Sequence, residues 1–252
     1  MAVMDTAVRL DGVREGIREP LRLLAEHLQA GLGENLRSVT VVGSSLTDDY
    51  RAGTSDINTV VELEQYDATA LNRVASLAKS MRSHKLSPPL LMTSFYIDRS
   101  RDVFGVELLD FQHTHETILG DDPFAGIEIA KHDVRLQCER ELKAMLVRMR
   151  QGYIAAGGHR KLIRDVLIST AKGLAPLARA MLWLRDVERP QTMDDSLRKA
   201  GEHFKVNLDA AIAAERWRYE KTRLSDLEVE NTFATIVGAV DVLTTTVDEM
   251  KL

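Results

Sequence analysis

The sequence has a single cysteine, Cys138. That lone thiol excludes an intrachain disulfide and any zinc site built from several cysteines. It falls on the apolar stripe of a predicted helix, where a free cysteine behaves as a small buried hydrophobe. A chain without disulfides suits a reducing, cytoplasmic setting. No uncharged apolar stretch of about 18 residues occurs, so no membrane-spanning segment is expected. Residues 1–11 lack the basic region and apolar run of a signal peptide, and a soluble protein is expected. Positive charge is not in excess either: the formal net charge is −5. Non-specific affinity for DNA comes mainly from Lys and Arg neutralising phosphates, so this balance argues against a general nucleic-acid coat and does not point to nucleic acid as a partner. Internal repeats and low-complexity tracts are absent as well.

What is present is an ordinary globular composition, with 44% hydrophobic and 28% charged residues over 252 positions, enough for one large domain or two modest ones. In residues 5–31, Leu10, Val13, Ile17, Leu21, Leu24 and Leu28 recur at three and four residues, the mark of an amphipathic helix stopped by Gly31 and Gly33. Two β-prone runs follow, at 38–42 and 57–63, then a helix at 68–84 broken by Pro88 and Pro89. Further strands are expected at 90–93, at 103–111 and, as a small edge element, at 117–119.

After Pro123 the pattern is helical throughout. Val134, Cys138, Met145, Met149 and Tyr153 line one helix ended by Gly157 and Gly158, and Ile163, Val166, Leu174, Leu177, Met181 and Leu184 line a second. Shorter helices are expected at 194–203 and 208–218. A long final one carries Val229, Phe233, Ile236, Val240, Leu243, Val247 and Met250. The expected architecture is α+β: a mixed sheet of three to five strands with helices over residues 1–125, followed by an all-α bundle over 126–252.

Chemistry concentrates between Val41 and Asn58. A strand runs into Gly43-Ser44, and Gly53-Thr54-Ser55-Asp56 opens the next strand two residues before Asn58. Gly43 lets the backbone approach a phosphate closely, and Ser44 brings a hydroxyl beside exposed N–H groups. Side chains 56 and 58, two apart on a strand, point to one face. This segment resembles the signature of the DNA polymerase β-like nucleotidyltransferase superfamily, in which Gly-Ser after the first strand precedes Gly-x-Ser-Asp-x-Asp. Residues 102–111 with Gly120-Asp121-Asp122-Pro123 resemble a second block. It occurs in uncharacterised bacterial members with a C-terminal helical domain, where a strand of the form Phe-Pro-apolar-Glu-apolar-Leu-Asp precedes Gly-Glu-Asp.

The resemblance implies Mg2+-dependent transfer of a nucleoside monophosphate from an NTP to a hydroxyl of a small molecule or protein. In that reading Gly43, Ser44 and Ser55 hold the nucleotide, Asp56, Asn58 and Glu107 hold metal, and Asp56 and Glu107 are catalytic. Glu107 is chosen for the third carboxylate because it stands mid-strand with apolar neighbours. Asp110, the other candidate, has the opposite strand parity. A homodimer is compatible with the sequence.

Asn58 departs from the pattern, because an amide is a neutral and much weaker ligand for Mg2+ than a carboxylate. The rival reading is therefore a catalytically impaired member that binds a nucleotide or partner, including an antitoxin-like half of a two-gene system. Three further features have local explanations. Asp48 and Asp49 decorate the loop, and His113 and His115 read as a partly exposed strand end. Arg198 and His203 have a spacing known from ribonucleases of the HEPN family but read as a solvated helix terminus. Arg135, Arg140, Lys143 and Arg150 are basic candidates for contacting an acceptor or base.

Overall fold

The computed structural model describes residues 7–220 and 224–252, and the start of the helix expected over 5–31 lies outside them. The described chain is α+β and divides into two compact units. One comprises the described residues up to Arg101 together with Asp110–Glu128, the other Asp102–Leu109 with Ile129–Leu252.

The first unit is built on a four-stranded mixed sheet of β1 (Leu36–Val42), β2 (Asn58–Leu63), β3 (Leu90–Thr93) and β4 (His115–Gly120). The spatial order is β3-β2-β1-β4. β1 pairs antiparallel with β2 and β4, and β2 pairs parallel with β3. Helix α1 (Glu15–Leu32) covers one face. Its buried residues Ile17, Leu21, Leu24 and Leu28 join Val39, Val41, Val61, Leu63 and Leu119 in a single core, as the three-four spacing requires. The helix begins later than its apolar pattern suggests, and residues 7–10 instead run beside β4, with Arg9 N–H donating to the Ile118 carbonyl at 2.8 Å. Helices α2 (Ala68–Ser76) and α3 (Ala78–Ser83) divide the predicted 68–84 segment at Leu77. Asp67 caps α2 by accepting the Ala70 N–H at 2.5 Å.

Alternation along a strand puts the partners Ser38 and Glu62, Thr40 and Val60, and Val42 and Asn58 on the sheet's other face. A short helix, α4 (Ser94–Arg99), follows β3.

The strand expected over 103–111 does not form. Residues Gly105–His113 are helix α5. Val106 and Leu109, three apart, are both buried in the second unit's core; a strand would send them to opposite faces. Leu108-Leu109 flanked by Glu, Asp and Gln suits a helix as well as a strand by periodicity, so packing decides. The buried Gln137 secures the first turn, its Oε1 accepting the Val106 N–H at 2.9 Å, which satisfies one of the donors a helix start leaves open.

The second unit is helical: α6 (Lys131–Ala156), α7 (Arg160–Leu184), α8 (Met193–Phe204), α9 (Asp209–Arg216) and α10 (Asp226–Asp248). Cys138, Met145 and Met149 of α6, Leu174 and Met181 of α7, and Ile236, Val240, Leu243 and Val247 of α10 form one core. No described helix is long and apolar enough to cross a membrane.

Candidate functional site

β1 ends at Val42 and the backbone turns at Gly43, whose φ of 77° lies in the left-handed region that L-residues avoid. A short 3₁₀ turn, Gly43–Leu46, follows. It is fastened from outside by Arg14, which donates from Nε to the Ser45 carbonyl at 2.8 Å and from Nη2 to the Thr47 carbonyl at 2.6 Å. The same guanidinium stands 5.1 Å from the Tyr50 ring centroid. Sequence reasoning missed this clamp, because nothing in the spacing of Arg14 and Ser45 announces that they meet. Ser44 is half-buried, and its Oγ makes no protein hydrogen bond among the described residues.

The loop returns through Gly53 and reaches β2. Burial alternates as expected: Ser55 and Ile57 are buried, Asp56 and Asn58 exposed. Asp56 and Asn58 therefore share a face and a rim, and Ser55 does not. The Ser55 hydroxyl accepts the Arg51 N–H at 3.0 Å, so its work is to shape the loop. Asn58 faces the turn: a Cβ built on Gly43 would stand 3.7 Å from Asn58 Nδ2. Gly43 and Asn58 form one surface.

A third carboxylate to join Asp56 would come from a strand flanking β2. Those strands are β1, Leu-Arg-Ser-Val-Thr-Val-Val, and β3, Leu-Leu-Met-Thr, and neither contains an acid. Glu62 shares the parity of Asp56 but lies at the opposite end of β2, where its carboxylate accepts the hydroxyls of Ser38 at 3.1 Å and Ser94 at 2.5 Å. Glu116 of β4 pairs with Val41, and its carboxylate occupies the space where Gly12 would carry a Cβ.

Glu107 belongs to α5 and to the second unit, and its Oε2 accepts a hydrogen bond from Gln137 Nε2 at 2.6 Å. The mid-strand position that recommended it does not exist. Strand parity no longer separates it from Asp110 either, since residues three apart on a helix share a side. Among the described residues, no group of three or more His, Cys, Asp or Glu side chains is placed to hold a metal ion. The donors near the turn, one carboxylate and one amide, do not fit a two-Mg2+ centre, which wants several hard anionic oxygens.

On the other side of β2, Ile57 bridges Leu86 in parallel register. Ile57 N–H donates to the Lys85 carbonyl at 2.8 Å and Ser87 N–H to the Ile57 carbonyl at 3.0 Å. The residue standing beside Asp56 in this register is thus Lys85. It is exposed, with a φ of 59°, a conformation that costs a non-glycine residue energy.

The remaining sequence candidates sit in local contacts. His115 Nε2 lies 3.1 Å from Asp122 Oδ2 and stacks edge-on against Phe124. Arg135 bonds Glu139 and the Val247 carbonyl, each at 3.1 Å, so it ties α6 to the end of α10. Lys143 pairs with Glu139, and Arg140 with Glu141. Arg198 and His203 are both exposed on α8.

Against known proteins, no family model matches the chain and no curated protein matches it by sequence. The fold is matched by the crystal structure of spectinomycin adenyltransferase AAD(9) from Enterococcus faecialis with ATP and spectinomycin. The TM-score is 0.56 at 12% identity, covering 90% of this chain and 98% of that one. The likeness is one of fold: a nucleotidyltransferase-type sheet followed by a helical region.

Proposed function

We propose that the chain is a nucleotide-binding protein of the nucleotidyltransferase fold. The Gly43–Ser44 turn and the Asn58 amide hold the phosphates of an NTP, and transfer of the nucleoside monophosphate is slow or lost. The observation that carries this reading is the acid-free pair of strands beside β2, β1 and β3; among the described residues Asp56 belongs to no cluster of carboxylates of the kind metal-assisted transfer needs. Gly43 retains the backbone freedom for a close approach to phosphate, and the Ser44 hydroxyl makes no protein hydrogen bond among the described residues. No catalytic step is assigned to Mg2+.

A second reading, NMP transfer to a hydroxyl of a small molecule, is favoured by the fold match to a protein solved with ATP and spectinomycin over 98% of its length. One pair of measurements separates the two: calorimetric titration of ATP, and incubation of labelled ATP and Mg2+ with spectinomycin and other polyhydroxylated acceptors. The binding reading expects ATP to bind, no label to transfer, and Asn58→Asp to restore none. Label transfer by the wild-type protein, increased in Asn58→Asp, establishes the enzyme instead. Absence of ATP binding sinks both. Gly43→Ala is expected to weaken ATP binding by about tenfold, because a left-handed position tolerates Ala poorly.

A further inference from the structure

We infer that this site binds the phosphates of its nucleotide without a divalent cation, an inference that rests on the nucleotide-binding reading above. Where a nucleotidyltransferase uses carboxylates to carry a metal to the phosphates, this chain places groups that meet an anion directly. Asn58 is the first. Its Nδ2 lies against the Gly43 turn, 3.7 Å from where a glycine Cβ would be, so its N–H groups are available to a ligand oxygen seated on that turn. A carboxylate at the same position would repel a phosphate unless a cation stood between them; an amide donates to it.

Lys85 is the second. The parallel bridge of Ile57 with Leu86 sets Lys85 next to Asp56 at the mouth of the sheet. Its carbonyl accepts the Ile57 N–H at 2.8 Å, which fixes its backbone beside β2, and its φ is 59°. This left-handed φ is the ordinary close of a helix: just past the end of α3, Lys85 N–H bonds the Arg82 carbonyl and Leu86 N–H bonds back to the Met81 carbonyl at 2.9 Å. The segment that leads into the flanking strand β3 carries Lys85 and then Leu86, Ser87, Pro88 and Pro89, and neither it nor β3 contains an acid.

Lysine is a compact point charge suited to phosphate. Lys85 balances the charge of Asp56 beside it in the register, and the amide offers two N–H donors to a polyanion that would otherwise need Mg2+. Both side chains are exposed, so replacing them leaves the core intact.

The test is calorimetric titration of ATP into the full-length protein in excess EDTA and again in excess Mg2+, with thermal unfolding as a check on each variant. Wild type is expected to bind ATP in EDTA at least as tightly as in Mg2+. Lys85→Met is expected to weaken binding in EDTA by about tenfold, the usual scale for a hydrogen bond to a charged group. Asn58→Asp is expected to lose binding in EDTA and regain it in Mg2+, converting the site to metal dependence. ATP binding by wild type only when Mg2+ is present overturns the inference while leaving the nucleotide-binding reading standing. So does an Asn58→Asp variant that binds equally in both buffers. No ATP binding in either buffer removes the nucleotide-binding reading itself.

Discussion

Thr59 sits between Asn58 and Val60 on β2, with Val41 as its cross-strand partner and 1% of its surface exposed. Its hydroxyl has no hydrogen-bond partner among the described residues. Burying an unpaired hydroxyl costs free energy that an isosteric methyl group does not. Thr59→Val is therefore expected to stabilise the protein by about 1 kcal/mol, read as a higher urea midpoint at unchanged slope. A destabilised variant would mean that the hydroxyl has a partner after all. The same scale explains why Asp56 and Asn58 were legible from the sequence and Lys85 was not. Residues two apart on a strand share a face whatever surrounds them, whereas Lys85 gains its place only from the pairing of Ile57 with Leu86. Ser55 marks the limit of motif reading. The motif puts it next to Asp56, and the same alternation that exposes Asp56 turns Ser55 inward to the Arg51 N–H.

Among the elements, α10 is the one whose sequence and structure agree most closely. Val229, Ile236, Val240, Leu243 and Val247 of its stripe are buried and Phe233 is half-buried, and its start is signed by a full capping box. Ser225 Oγ accepts the Glu228 N–H at 3.2 Å, and Glu228 Oε2 accepts the Ser225 N–H at 2.7 Å. Ser225→Ala is expected to lower stability by about 1 kcal/mol, the usual worth of an N-cap. Equilibrium denaturation measures this, and an unchanged midpoint would show that the box contributes nothing. Helix α5 is the opposite case. Val103 to Phe111 satisfies a strand template by composition, yet Gly105 packs where a Cβ would stand 2.9 Å from Val134. Val106 and Leu109 then bury together. Nine residues with two adjacent leucines do not choose between periods of 2 and 3.6 by themselves. The Gln137 side chain that meets the first turn of α5 arrives from 31 positions away.

At the scale of the whole molecule, Cys138 reports on the integrity of the helical unit. It is fully buried, and burial first, then the charges of Glu107 and Glu141, push its thiol from 9.0 up to about 12. The folded protein thus keeps this proton where the unfolded chain loses it. Stability is expected to be unaffected by this group below pH 9 and to fall as pH rises from about 9 towards 12. A thiol reagent such as DTNB at pH 8 should leave the native protein untouched and titrate one thiol per chain in denaturant. Rapid labelling of the native protein would contradict the burial. A Cys138→Ala variant should lose the thiol's share of the alkaline dependence.

The sequence alone determined the helical stripes of α6, α7 and α10, the breaks at Gly43 and Gly157, and the shared face of Asp56 and Asn58. Each depends on a local period or a local backbone constraint and survives any tertiary arrangement. The α+β class follows from the same local patterns. Only the tertiary structure decided which strand lies beside β2, that residues 105–113 coil rather than extend, and that the strands flanking β2 carry no acid while Lys85 comes beside Asp56. Those outcomes depend on pairings between distant segments, where register, not composition, decides which side chains become neighbours. The chemistry of the Gly43–Asn58 surface is set by those neighbours.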